Sequence, residues 1–303
     1  MIDFIGDVHG HADELEKLLF KLGYDKKNGT YTHANKKVLF VGDYIDTGPQ
    51  IRETLEIVRR MVESENAIAL MGNHEYNALC FHLQETEGGH LRKHLIKNIV
   101  QHYETLKQFQ NKQSEYENYL DWFKTLPLYY ETEQYRAVHA CWDNKSIAYL
   151  QQALVKGKLN DELIYESVKK GTKLNEAVDV TLKGKEMKLA EGLLFTDKDG
   201  TGRTEIRIKW WEDPSKMTYK SISVEPIDNL PEQPIEPNEL NSLEFYRDDE
   251  KMVFFGHYWL KGEPSFYKGN ICCLDYSVAK GGKLVAYSWN GESVLDKRHL
   301  IYV

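Results

Sequence analysis

Lys36-Lys37-Val38-Leu39-Phe40-Val41-Gly42-Asp43-Tyr44-Ile45-Asp46-Thr47-Gly48 is an apolar strand-like run that meets a glycine and then presents carboxylates. The same build recurs on either side of it. Upstream, residues 2–5 lead into Gly6-Asp7-Val8-His9-Gly10, and downstream, residues 67–71 lead into Gly72-Asn73-His74-Glu75. Segments of helical period separate the three. Leu15, Leu18, Leu19 and Leu22 share one face over residues 11–22, as do Ile51, Leu55, Val58 and Val62 over residues 51–62. This i, i+3, i+4, i+7 spacing marks a helix that packs on a core. Repeated strand–helix units predict an α/β fold, a mainly parallel sheet with helices on its faces. Sites in such sheets form beyond the carboxyl ends of the strands, and all three glycine-led runs fall there.

The remaining pattern reads as decoration of that frame. Residues 77–123 are helical, polar and rich in His, Gln and Lys, which suggests a solvated insertion with His82, His90, His94 and His102 on its surface. The strand over 135–138 delivers His139. Residues 142–199 read as a second insertion, helical over 147–155 and 161–170 with a Gly/Lys-rich, hairpin-like tail, and four prolines make 223–240 extended and irregular. A strand over 252–255 delivers Gly256-His257. Residues 271–289 alternate like antiparallel strands about a Gly281-Gly282 turn. The expectation is a single domain over 1–303 with insertions at about 77–123 and 142–240.

At 303 residues, 41% hydrophobic and 28% charged, the composition is that of an ordinary globular chain. The net charge of −8 argues against a surface for nucleic acid duplexes. It does not exclude an anionic substrate at a site whose metals bring their own charge. No apolar run approaches the ~20 residues that cross a bilayer, and the first ten residues lack the n-region and apolar stretch of a signal peptide. The four cysteines, Cys80, Cys141, Cys272 and Cys273, follow no framework spacing and read as reduced thiols. A cytoplasmic protein without a membrane partner is expected.

Chemistry concentrates in Asp7/His9, Asp43/Asp46, Asn73/His74, His139 and His257, each after an apolar run. Singly, such residues mean little. Together they offer the oxygen and nitrogen donors that suit divalent metals of hard to borderline character. A pair of such metals is a device for attacking phosphate esters. If all were core or capping residues, buried polar groups would lack partners at about 1–3 kcal/mol each. Glu75 reads as a hydrogen-bonding brace, not a ligand.

These motifs resemble the calcineurin-like metallophosphoesterase superfamily and, within it, the phosphoprotein phosphatases, whose signatures are GDxHG, GDxxDRG, GNHE and later histidines. Here they stand as GDVHG, GDYIDTG, GNHE, VHACW and FFGHYW. Trp122-Phe123-Lys124-Thr125-Leu126-Pro127-Leu128 and Cys273-Leu274-Asp275 are similar to the family's segments at those points. The resemblance implies a four-layer αββα sandwich. It implies two divalent metal ions, with Mn, Fe, Zn and Co all suited to the donors. Asp7 and His9 would bind the first, Asp43 would bridge, and Asn73, His139 and His257 would bind the second. His74, held by Asp46, would be the general acid, and a metal-bridging hydroxide would attack phosphorus in line.

The chain departs from that pattern at Thr47, where the phosphatases carry a phosphate-clamping arginine, and at Ala140-Cys141-Trp142 and Tyr258-Trp259. Arg203 and Arg207, alternating with Lys209 as on one face of a strand, are the candidates for a replacement clamp. The implied substrate is a phosphomonoester, on a protein or a small molecule. The alternative is a dinucleoside polyphosphate, as for the symmetrical diadenosine tetraphosphatases, towards which Gly48-Pro49 and His139-Ala140 lean while Asp46 leans the other way. A scaffold that has lost catalysis is a third reading, disfavoured because every ligand position is filled.

Overall fold

Two sheets pack face to face in the computed structural model, which describes residues 1–86, 88–190, 194–196, 202–240 and 243–303. The first sheet orders its strands Asp275–Tyr276, Lys283–Trp289, Ile2–Ile5, Lys37–Phe40 and Ala67–Ala69, with Leu300–Tyr302 also paired to Lys283–Trp289. The second orders Ile271–Cys273, Met252–Phe255, Tyr135–Val138 and Tyr129–Glu131. Side chains alternate across each strand. Ile2, Phe4 and Leu39 enter the space between the sheets and meet Ala137, Met252 and Phe254. Ile5, Val38 and Phe40 face outward to Leu15, Leu18, Leu55 and Val58 of the helices Ala12–Lys21 and Ile51–Glu63. Val253, Phe255 and Cys273 leave the other sheet to join Trp210 and Trp211. The helix Lys173–Lys183 lies on the same side, its Thr181 carbonyl accepting the Ala140 N–H at 3.0 Å, so the layers run helix, sheet, sheet, helix.

Phe4 and Phe254 stack at the centre of the sandwich, with centroids 3.7 Å apart and planes 9° from parallel. Phe254→Ala is expected to cost about 3–5 kcal/mol, the range for emptying a buried aromatic site. A urea titration should show it as a lower midpoint with unchanged slope.

The parallel arrangement expected at the start of the chain is present, with Ile2 opposite Lys37 and Val38 opposite Ala67 in register. Ile271–Cys273, expected to be antiparallel, instead lies parallel to Met252–Phe255. It is buried on both faces, so its sequence carries no alternation from which direction could be read. The antiparallel reading holds for Asp275–Tyr276 with Lys283–Trp289.

Residues 77–123 are solvated only in part: 84–86 and 93–97 are exposed, but the helices around them reach the core. The helices Asn73–His82, Ile96–Gln108 and Gln113–Phe123 bury Leu79, Phe109, Tyr116, Tyr119, Trp122 and Phe123 in the main core. Their polar composition masks an aromatic stripe at helical spacing. The hairpin-like tail expected after residue 170 is largely a further helix, Lys173–Lys183, capped by Thr172 and ended by Gly184 at φ 89°. It buries Leu174, Ala177, Val178, Thr181 and Leu182, a repeat that the neighbouring lysines disguise. Arg203, Arg207 and Lys209 do not share one strand. Gly202–Arg203 pairs with Phe195–Thr196, whereas Glu205–Arg207 pairs with Glu186–Lys188, and Lys209 follows outside. Residues 197–201 of that segment lie outside the described residues. Among the described residues, no helix is long and apolar enough to cross a membrane.

Candidate metal centre

The three glycine-led turns and the two later histidines meet at one edge of the sandwich. Val8 and His9 both donate their backbone N–H to the Asp43 carbonyl, at 3.1 and 2.9 Å, and Gly48 N–H reaches the His9 carbonyl at 2.6 Å. His9, Asp43, Asp46 and His257 adopt positive φ of 47°, 56°, 84° and 74°. Left-handed backbone at a residue other than glycine costs about 1–3 kcal/mol and persists only where the surroundings enforce it. At Asp43 the enforcer is Glu75. Its buried carboxylate accepts the backbone N–H of Asp43 at 3.0 Å, Tyr44 at 2.7 Å and Gly72 at 2.9 Å. It is a brace, as its sequence context suggested.

Two glycines are required by close approach. A Cβ on Gly256 would collide with the Asp7 carboxylate, and one on Gly72 with Asp43 Oδ1 and its backbone nitrogen. Asp7 Oδ2 accepts the His257 backbone N–H at 2.9 Å, while Asp7 Oδ1 is buried without a partner. Asp43 Oδ1 accepts the His74 backbone N–H at 3.0 Å. Its other oxygen lies 3.3 Å from His139 Nε2, 3.7 Å from His9 Nε2 and 3.9 Å from His74 Nε2.

The imidazoles are oriented from behind. His9 Nδ1 donates to the Ile45 carbonyl and His139 Nδ1 to the Val41 carbonyl, each at 3.0 Å. These bonds fix the tautomer that turns an Nε2 lone pair inward. Asn73 Oδ1 sits 3.0 Å from His139 Nε2 and 2.7 Å from His257 Nδ1. Lone pairs of Asp43, Asn73 and His139 thus face a common point, and His9 Nε2 and His257 Nε2 are buried without partners. Two groups have ligating atoms within 4.8 Å of one another: His9, Asp43 and His74, and Asp43, His139 and His257. Asp43 belongs to both.

Charge in the cluster is out of balance. Burial, then Asp275 and Asp43, raise the Asp7 carboxyl well above the usual range. Burial and the Asp43 charge push Glu75 to about 7, and burial pushes Asp275 to about 6 despite the Ser277 and Trp259 backbone N–H groups that it accepts. Four carboxyl groups sharing a dry site call for positive charge. Divalent cations fit that need, and the inward lone pairs and orphaned buried atoms fit their coordination.

His74 stands apart in its pairing. Its Nδ1 lies 2.6 Å from Asp46 Oδ2. Burial alone would depress its pKa, but the Asp43 charge and the Asp46 hydrogen bond outweigh it and hold it at about 9.

Sequence reasoning missed three residues here. His102, expected on the surface, is buried, and its Nδ1 lies 2.6 Å from Asp46 Oδ1. The surface expectation fails because the helix Ile96–Gln108 turns this ring inward while its next residue, Tyr103, stays exposed. Thr105 O–H donates to the same oxygen at 2.7 Å. Asp275, noted only within a resembling segment, fixes the turn after His257 by accepting the Trp259 N–H at 2.7 Å. Of the two candidate clamps, Arg207 stands at the cluster: after burial, its charge is the largest influence lowering the His257 pKa, and its Nε is buried without a partner. Arg203 is exposed on the neighbouring two-residue strand. All four cysteines are free and buried, and burial raises the Cys141 thiol well above its usual value, as for a packing residue.

A four-layer sandwich with carboxylate, amide and imidazole donors at its loop edge defines a metallophosphoesterase. Residues 1–258 match the family described as calcineurin-like phosphoesterase, and the chain belongs to that family of phosphate-ester hydrolases, whose members use divalent metals. A stretch of 131 residues is 37% identical to the asymmetrical bis(5'-nucleosyl)-tetraphosphatase PrpE of Oceanobacillus iheyensis, covering 42% of this chain and 50% of that protein. The protein of the same name from Halalkalibacterium halodurans is 48% identical over 73 residues, 24% of this chain and 30% of its own. The chain thus matches half or less of the length of these curated relatives. Among solved structures, a Saccharomyces cerevisiae protein serine/threonine phosphatase aligns over 100% of this chain and 78% of its own at 15% identity, with a TM-score of 0.48.

Proposed function

We propose that this protein hydrolyses dinucleoside polyphosphates with the help of two divalent cations, manganese first among them, acting as one domain in the cytoplasm. The observation that carries the hydrolytic reading is the convergence of Asp43, Asn73, His139 and His257 on one point beside Asp7 and His9. The substrate class is a change from the phosphomonoester first expected. It is supported by relatives named as tetraphosphatases and by Thr47, exposed where a phosphoprotein phosphatase would carry its clamp.

In this reading Asp7 and His9 would hold one cation and Asn73, His139 and His257 the other, with Asp43 available to both. The cations would supply Lewis-acid polarisation of the phosphate and a water acidified towards neutral pH. The chain's own groups do the rest. His74 carries a proton at Nε2 and gives it to the departing oxygen, while its Nδ1–H stays on Asp46. Arg207 offers a guanidinium to a phosphate oxygen next to His257, with Arg203 further out on the same segment.

The test is a panel of diadenosine tetraphosphate, a serine phosphopeptide and bis(p-nitrophenyl) phosphate under one Mn²⁺ condition. The dinucleotide should lead in kcat/KM by about tenfold or more, a margin that contacts to a second nucleotide can supply. Its products should be ATP and AMP, as the relatives' name suggests, and not the two ADP of the symmetrical alternative. Preference for the phosphopeptide would restore the phosphoprotein reading.

A further inference from the structure

Asp46 holds more than His74. Its Oδ2 meets His74 Nδ1 at 2.6 Å, and its Oδ1 meets His102 Nδ1 at 2.6 Å and Thr105 Oγ1 at 2.7 Å. The Asp46 backbone N–H returns to Thr105 Oγ1 at 3.0 Å. Behind His102, the Tyr116 hydroxyl lies 2.8 Å from Nε2. Asp46, His102, Thr105 and Tyr116 are all buried.

Proton positions follow from chemistry. Burial, then the Asp46 and Glu75 charges, raise the Tyr116 hydroxyl well above its usual range, so it keeps its proton and donates it to His102 Nε2. An imidazole that accepts at Nε2 carries its hydrogen at Nδ1. His102 therefore donates its Nδ1–H to Asp46 Oδ1 at 2.6 Å. With the Thr105 donor beside it, Oδ1 is occupied by two fixed hydrogen bonds, and Oδ2 is left for His74.

We propose that His102, set by Tyr116, is a positioning residue: it locks the Asp46 carboxylate so that His74 presents Nε2 to the departing oxygen. This rests on the reading of His74 as the proton donor. During the transfer the His74 Nε2–H bond breaks and an O–H bond forms on the leaving group. Asp46 remains ionised, and no proton passes to His102. A buried histidine that only filled space would satisfy its nitrogens with any nearby group. This one spends its donor on the carboxylate that carries the proton donor, across 56 residues of sequence.

The experiment compares p-nitrophenyl and phenyl leaving groups, as phosphate monoesters and as esters of AMP, on the Mn²⁺-reconstituted full chain. A p-nitrophenolate leaves unaided, whereas a phenolate needs a proton. His102→Ala should lower kcat for the phenyl esters by about 10–100-fold, part of what general acid catalysis supplies. The p-nitrophenyl esters, KM and bound manganese should change little. His102→Asn, which keeps a donor near the Nδ1 position, should recover most of the loss. Tyr116→Phe, which frees the tautomer with little change in packing, should fall between and carries the test if His102→Ala does not fold. Equal losses on both leaving groups, or none, would overturn the inference while His74→Asn still discriminates between them. Should His74→Asn fail to discriminate too, the proton-donor reading falls and this inference with it.

Discussion

Asp43→Asn should leave the chain folded but unable to retain its metals, with turnover reduced about 10³-fold or more, the scale on which removal of preorganised charge acts. Asp43 is the member common to both donor groups, and its Oδ2 faces three imidazole Nε2 atoms at 3.3 to 3.9 Å. Asparagine tolerates the left-handed backbone that Asp43 adopts at φ 56°, and its amide oxygen can still accept the His74 backbone N–H. What it loses is charge. A neutral amide leaves the His9 side and the His139 side of the cluster without the anion that both donor groups share. Elemental analysis should show less metal per chain than in the wild type. Added Mn²⁺ should raise the melting temperature of the wild type through linkage and leave that of the variant unmoved. Full metal content and ordinary turnover in the variant would remove Asp43 from the centre of the site.

The donors of that site were legible because their signal is local. Asp7, His9, Asp43, Asn73 and His257 stand within three residues of a glycine that follows an apolar run, and His139 follows its run directly; Gly256 and Gly72 are there for the close approach of Asp7 and Asp43. The supports were not legible, since their signal is long-range. His102 and Thr105 reach Asp46 across 56 and 59 residues, and Tyr116 sits fourteen beyond His102. Nothing in the polar run around them distinguishes an inward ring from an outward one until the helix is docked. The same limit explains Arg207. An alternating pattern identifies strand faces but not strand partners, and the segment divides between two partners at Thr204. Substrate class lies deeper still, because Thr47 removes one signature without supplying another.

His74→Asn separates two roles that the geometry allows for one ring. Its Nε2 belongs to a group with His9 and Asp43 that could hold a metal, while its Nδ1 is committed to Asp46 at 2.6 Å. As proton donor, His74 should be dispensable for metal binding. The variant would keep its full metal content and lose about 10²–10⁴-fold in kcat for poor leaving groups, the range for general acid catalysis. As ligand, it should take one metal with it, and turnover would fall for every leaving group alike. The hydrogen-bonding evidence favours the donor. Asp43 and Asp46 outweigh burial and favour a proton on the ring, and a protonated Nε2 would not coordinate. Cation charge nearby opposes that protonation, and the Asp46 hydrogen bond to the ring's other nitrogen favours it. Metal content measured alongside leaving-group dependence therefore decides between the roles, since loss of one bound metal in the asparagine variant is incompatible with His74 as a proton donor alone.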